Sequence, residues 1–308
     1  MRRLGIVVAF ASALLGGPVM TQGTNTPATN VLREADAQVG EVRIHYRTGG
    51  QGEPLLLIHG WPETSLAWNK VAPDLARHYT LIISDLRGFG GSSRPAGGYD
   101  RRTLATDLRG LVHQLGYSRI RIAGHDWGGS VAFAYALNWP DEVERLAVLE
   151  AMPKGPWSKP GEEPWFYTLH RDADFAEALT AGRERLYLSW FFRNYSTTPG
   201  AIDEAEIDAY LKSFGQPGGM RPGFELVRAI PQDVGDNGAA LAANGALAMP
   251  VLAIAGERSM NTAVAANLHH AARDVREVVL PGAGHFLPEE RPTEVTQLLN
   301  DFFGGSRP

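Results

Sequence analysis

RIRIAGHDWGGSVAFAYAL, residues 119–137, decides how this 308-residue chain folds and what it can do. Ile120 and Ile122 alternate with arginines, as in a short strand, and the chain then turns sharply between glycines. Beyond Gly128-Gly129 it continues as a helix of small residues. Such a strand–turn–helix displays its central residue, here Asp126, where a serine nucleophile commonly stands. The carboxylate changes the chemistry. Attack on an acyl carbon would give an anhydride and gain little. Attack on an sp³ carbon gives an alkyl ester that water can open. Asp is also a preferred helix N-cap, and that plainer role stands beside the catalytic one.

Around this turn, short apolar runs alternate with helical patterns: PLLLIHG at 54–60, TLIISD at 80–85, RLAVLEA at 145–151, PVLAIAG at 250–256 and REVVLPG at 276–282. Runs without polar alternation mark strands covered on both faces, and their alternation with helices predicts a mainly parallel sheet of the α/β class. SLAWNKVAPDLARHY (65–79), TLATDLRGLVHQLG (103–116), AVAANLHHAARD (263–274) and PTEVTQLLNDFF (292–303) read as helices, and EVRIHYRTGG (41–50) as an antiparallel strand and hairpin. Between Pro153 and Met249 only helical patterns occur, DFAEALTAGRERLYLSWFF (174–192) among them, which predicts an inserted helical cap at 153–249. The core is then 39–152 and 250–308.

Charged and apolar residues are present in ordinary globular proportions, and a net charge of −5 with interspersed signs gives no nucleic-acid footprint. Without cysteine, disulfides, thiol catalysis and thiolate metal sites are excluded. Met1-Arg2-Arg3 followed by an apolar run to about residue 17 reads as a signal peptide over 1–20. The polar stretch at 21–38 reads as a linker. A secreted or periplasmic protein with no stable membrane insertion after processing is expected.

In a parallel sheet, functional groups leave the carboxyl ends of strands. His59-Gly60-Trp61-Pro62, Asp126, Glu150 and His285 all stand at such ends, the last three in the order nucleophile, acid, base. His285 suits a general base, with a carboxylate behind it to hold its tautomer. Glu150 is the preferred acid and Glu257 the alternative. No metal or organic cofactor is implied by this set.

HGWP (59–62), DLRGFGGSSRP (85–95), GHDWGG (124–129) and LPGAGHFLPEE (280–290) resemble the epoxide hydrolase branch of the α/β-hydrolase superfamily, which also holds haloalkane and haloacetate dehalogenases. LEAMP (149–153), with its glutamate, resembles a secreted bacterial subgroup of epoxide hydrolases. The resemblance implies an α/β-hydrolase fold and an oxyanion hole from the backbone N–H groups of Trp61 and Trp127. It also implies a cis Pro62, and a cap residue that protonates the opening epoxide oxygen. The sequence departs from the family at three places. Ser259 stands where many members carry the acid after Gly256-Glu257-Arg258. Val227 occupies one family tyrosine position, and Phe166 the other. Tyr167 is the nominee for the ring-opening acid, with His170, Tyr187 and Tyr210 behind it. Halide departure needs no such proton, so a haloalkane dehalogenase using the same Asp, His and Glu is the alternative. Trp127 in place of an arginine argues against a haloacid substrate. A secreted binding protein on a hydrolase scaffold is the third reading. A small apolar substrate with water as co-substrate is expected, and a homodimer is among the assemblies the sequence allows.

Overall fold

A computed structural model of the chain describes Met1, residues 32–159, 161 and 163–305. Residues 2–20 of the predicted signal peptide and 21–31 of the predicted linker lie outside the described residues. Eight strands form one sheet: β1 (Arg33–Val39), β2 (Val42–Gly50), β3 (Glu53–Ile58), β4 (Tyr79–Ser84), β5 (Ile120–His125), β6 (Val143–Leu149), β7 (Val251–Gly256) and β8 (Val275–Leu280). Their order is β1-β2-β4-β3-β5-β6-β7-β8. β1 and β2 run antiparallel and β2 meets β4 antiparallel, whereas every pair from β4 to β8 is parallel.

The apolar runs sort by the two-residue period of a strand. Leu55 and Leu57 face one side with Leu81, Ile83, Leu149 and Ile254. Leu56 and Ile58 face the other with Ile82, Ile122, Leu146 and Val148. The first face is covered by α1 (Ala72–Leu75), α11 (Leu287–Glu290) and α12 (Pro292–Gly304). The second is covered by α2 (Arg101–Gln114), α3 (Trp127–Asn138) and α10 (Ala263–Leu268). Between β6 and β7 stand six helices and no strand among the described residues: α4 (Trp165–Arg171), α5 (Phe175–Thr180), α6 (Glu184–Tyr195), α7 (Glu204–Phe214), α8 (Arg221–Arg228) and α9 (Ile230–Asn244).

Three expectations need correction. The linker predicted over 21–38 is a strand from Arg33 onward, pairing with β2 from Arg33↔Thr48 to Val39↔Val42. Only Ala35, Ala37 and Val39 of this edge strand touch the core, so READAQV carries little apolar signal. The helix predicted over 65–79 is a single 3₁₀ turn at Ser65–Trp68, then α1, because Pro73 lies in a first helical turn and cannot donate backward. The helical stretch at 174–192 is broken into α5 and α6 at Gly182, whose φ of 73° a helix cannot accommodate.

The turn from β5 into α3 leaves no room for side chains at its glycines. A Cβ on Gly128 would strike the carbonyl oxygens of Ile58 and His59, and one on Gly124 would strike the carbonyl of Gly128. α3 is buried from Trp127 through Leu137, which explains its small-residue composition. Gly128→Ala should therefore force α3 away from β3 and lower stability by roughly 1–3 kcal/mol, the usual cost of overpacking. Thermal unfolding of the variant against wild type measures it, and an unchanged midpoint would contradict this packing.

Candidate active site

Asp126 sits between β5 and α3 with φ 51° and ψ −123°, a conformation that L-residues adopt only under strain. Its side chain makes no capping bond to α3. Instead Oδ1 accepts from the Trp61 N–H at 2.8 Å, and Oδ2 lies 3.4 Å from His285 Nε2. Trp61 reaches it from the loop after β3, where the Trp61–Pro62 peptide is cis. The N-cap role leaves these contacts unexplained.

His285 follows β8, and its backbone N–H donates to the carbonyl of Tyr195 at the end of α6 (2.8 Å). Its Nδ1 donates to Glu150 Oε2 at 2.9 Å. Glu150, directly after β6, is fully buried and takes a positive φ of 48°. Its Oε1 accepts from Gly256 N (2.7 Å) and Met260 N (3.3 Å), and Ser259 Oγ donates to its Oε2 at 2.5 Å. Ser259, which stands where many members of the family carry an acid, thus donates to Glu150. Glu257 turns away, accepting from Gly282 N at 2.9 Å with its side chain nearly half exposed. The structure brings Glu150 to His285 and leaves Glu257 apart.

These groups open onto a cavity of about 600 Å³ whose walls include Trp61, Trp127, Phe166, Tyr167, Phe191, Tyr195 and Met260. Tyr167 stacks on the Trp127 ring (centroids 5.7 Å apart, 24° between planes), and the guanidinium of Arg101 lies 4.4 Å from the Trp127 ring. Withdrawal from water, then the charge of Asp126, push the Tyr167 hydroxyl's pKa above the ordinary phenol range, and Arg101 opposes them. The other three nominees lie elsewhere. His170 Nε2 and the Tyr187 hydroxyl bond each other at 2.7 Å beside the Trp61 ring, and neither is among the cavity-lining residues. Burial, then Arg228, hold His170 down to about 3, so it is neutral. Tyr210 is buried and donates to Glu289 Oε1 at 2.6 Å. Val227 is buried away from the cavity lining, whereas Phe166 lines it.

The sequence reading passed over Tyr195 and Asn194, which line the cavity from the end of α6, and Arg258 at its edge. No local motif flags them, because they reach the site only through the way α6 packs over it.

The chain matches the model of the alpha/beta hydrolase fold family over residues 53–292. It belongs to that family. Among its relatives are the epoxide hydrolases: it is 36% identical to a soluble epoxide hydrolase of Corynebacterium sp. (strain C12), over 88% of this chain and 97% of that one. A fluoroacetate dehalogenase of Burkholderia sp. is 32% identical over 87% and 93%. The solved structure of the epoxide hydrolase CorEH superposes with a TM-score of 0.83 at 35% identity, covering 89% of this chain and 99% of that one.

The electrostatics of the site bear on when His285 can act. Burial disfavours its charge, but hydrogen bonds and charges from Asp126 and Glu150 overrule burial and raise its pKa well above the ordinary imidazole value. With Asp126 ionised, His285 holds its second proton. Were the Asp126 carboxylate neutral, only Glu150 would support that charge and the imidazole would give up its second proton more readily. Asp126→Asn, which removes the charge without changing the shape, should lower the His285 pKa toward its ordinary value. Imidazole NMR titration of the two proteins reads it, and an equal or higher pKa in the variant would contradict this coupling.

Proposed function

We propose that this protein hydrolyses a small-to-medium, largely apolar epoxide to a vicinal diol through an ester on Asp126. The observation that carries the reading is the Asp126 carboxylate itself. One oxygen is held by a backbone N–H and the other is turned toward His285, in a mainly apolar cavity. The 36% identity to a soluble epoxide hydrolase supports it.

In this mechanism Asp126 Oδ2 attacks a ring carbon from the side opposite its C–O bond. The bond breaks, and the released oxygen takes the proton of Tyr167, leaving a hydroxyalkyl ester and a phenolate. The ester has discharged Asp126, so the His285 imidazolium gives up its second proton through solvent to the phenolate, and the neutral imidazole then takes a proton from water as that water adds to the ester carbonyl carbon. The negative charge gathers on Oδ1, which the Trp61 N–H already holds, and the Trp127 N–H completes the oxyanion hole. Collapse expels the second diol oxygen, which is protonated by His285. The remaining carboxyl proton passes to His285, which restores the Asp126 carboxylate and the imidazolium. Glu150 stabilises the imidazolium throughout. The helical insertion serves as the lid that closes the apolar cavity. Export belongs to the same reading and rests on the basic start and apolar run of residues 1–17.

A haloalkane dehalogenase is the second reading, favoured by one observation: the two family tyrosine positions hold Phe166 and Val227. Mass spectrometry of His285→Gln, incubated with panels of epoxides and haloalkanes, separates the two. Without the base the ester should accumulate, and an adduct equal to the mass of the epoxide is expected. Alkyl adducts from haloalkanes alone would move the assignment to dehalogenase. No adduct from either would favour a binding role.

Tyr167→Phe tests the acid. Loss of a general acid costs about 10²-fold or more in the step it serves. Ester formation from an epoxide should slow by roughly that factor, while any reaction with a haloalkane keeps its rate. Equal rates with the epoxide would pass the role to another cavity group, Tyr195 first.

A further inference from the structure

Beneath the nucleophile lies a second set of ionisable groups that the mechanism above does not use. Glu63, His125, Tyr210 and Glu289 are all buried, and they come from the loop after β3, the end of β5, α7 and α11. Glu63 Oε2 accepts from Gly60 N at 3.0 Å and from His125 Nδ1 at 2.9 Å. His125 Nε2 meets the carbonyl oxygen of His285 at 2.8 Å. A carbonyl can only accept, so Nε2 bears a proton. The Oε2 atom already takes the Gly60 N–H, so Nδ1 bears one as well. His125 is therefore an imidazolium, paired with the Glu63 carboxylate.

The far side of this pair has the more informative chemistry. The Glu63 and Glu289 carboxyls lie close enough to perturb each other's charge directly. The Glu289 Oε1 takes the Tyr210 hydroxyl at 2.6 Å. That leaves Glu63 Oε1 and Glu289 Oε2 as buried oxygens with no donor of their own. Two ionised carboxylates cannot rest in contact in a buried site, but one proton placed between them gives both orphaned oxygens a partner. The charges agree. His125, Gly60 and the Glu289 contact hold Glu63 down at about 2 against its burial, while burial and then the charge of Glu63 raise Glu289 well above the carboxylate range. Glu206 of α7 pushes Glu289 in the same direction.

We propose that Glu63 and Glu289 share a single proton, carried by Glu289, and that this makes Glu289 a positioning residue for the active site. Glu63 holds the peptide of Gly60, next to the Trp61 N–H on Asp126. Through His125 it also holds the carbonyl of His285 and the residue before the nucleophile. Tyr210 brings the insertion into the same chain of bonds. The oxyanion loop, the elbow and the base are thus fastened to one carboxylate, whose last oxygen depends on a proton on Glu289.

Although the importance of this arrangement rests on the proposed catalytic roles, its test needs no substrate. In the full-length protein labelled with ¹³C-carboxyl glutamate, infrared spectroscopy at neutral pH should show a protonated carboxyl band that is absent from Glu289→Gln. No such band in the wild type, or its persistence in the variant, overturns the shared proton. The amide of Glu289→Gln can still donate to Glu63 and accept from Tyr210, whereas Glu289→Ala can do neither. The His285 titration should move by about half a pH unit or more in the Ala variant and return in the Gln variant. An Ala variant that titrates like wild type, or a Gln variant displaced as far as Ala, overturns the positioning role. Should the Ala variant not fold, Glu63→Gln replaces it. That change removes the counter-charge of His125 and should displace the His285 titration by a similar amount, and an unmoved titration overturns the role in the same way. Failure to turn over any epoxide would count against the proposed function and leave both of these readouts intact.

Discussion

The backbone of Asp126 is the constraint on which the site depends. A φ of 51° at a non-glycine residue is held only because Gly124 and Gly128 let β5, α3 and the end of β3 approach without intervening Cβ atoms. The approach places the Trp61 N–H within 2.8 Å of Oδ1, so the donor that would meet a developing oxyanion is already engaged by the nucleophile. Nothing has to reorganise for the same atom to carry the charge later, which is the condition under which fixed dipoles are most effective. The glycines, the strain and the donor are one device.

In the proposed mechanism, charge arithmetic orders the two half-reactions. Asp126 and Glu150 together bring two negative charges to one buried imidazole, and Glu150 is further held by Gly256, Met260 and Ser259. An imidazole in that field is a poor base and a good counter-ion while the nucleophile is free. Alkylating Asp126 would remove one of the charges, and the imidazolium would then give up its second proton and become able to take one from water. The intermediate therefore calls up the base it needs, with no moving part.

Much of this was legible in the sequence, for reasons specific to each element. The buried strands announce themselves as apolar runs because both faces of a central strand meet helices. The elbow does so because only small residues permit it. The edge strand β1 does not, since half of it faces water and its inward residues are two alanines and one valine. Of the four nominees for a proton donor, only Tyr167 lines the cavity, and sequence spacing could not separate it from His170, which sits one helical turn away against Trp61. That Ser259 donates to Glu150 was not legible, because the bond joins the turn after β7 to the end of β6. The contacts among positions 63, 125, 210 and 289 join four separate elements, and no local pattern connects them.

The insertion is fastened to the core by charge as well as by apolar packing. Arg101 on α2 and Asp233 on α9 form a buried ion pair at 2.7 Å, and the Arg101 backbone N–H adds a bond to Asp233 Oδ1 at 2.8 Å. Burial pushes Asp233 up to about 6 even beside that cation, so it is ionised near neutrality and paired. The same guanidinium lies against the ring of Trp127, whose other neighbour is Tyr167 from α4. An ion pair of this kind contributes little net stability relative to an apolar pair, because desolvation offsets its attraction. Its effect is geometric. It fixes where α9 meets α2, and through Trp127 it sets the distance between the phenol of the insertion and the carboxylate of the core, on which the proposed ring opening depends.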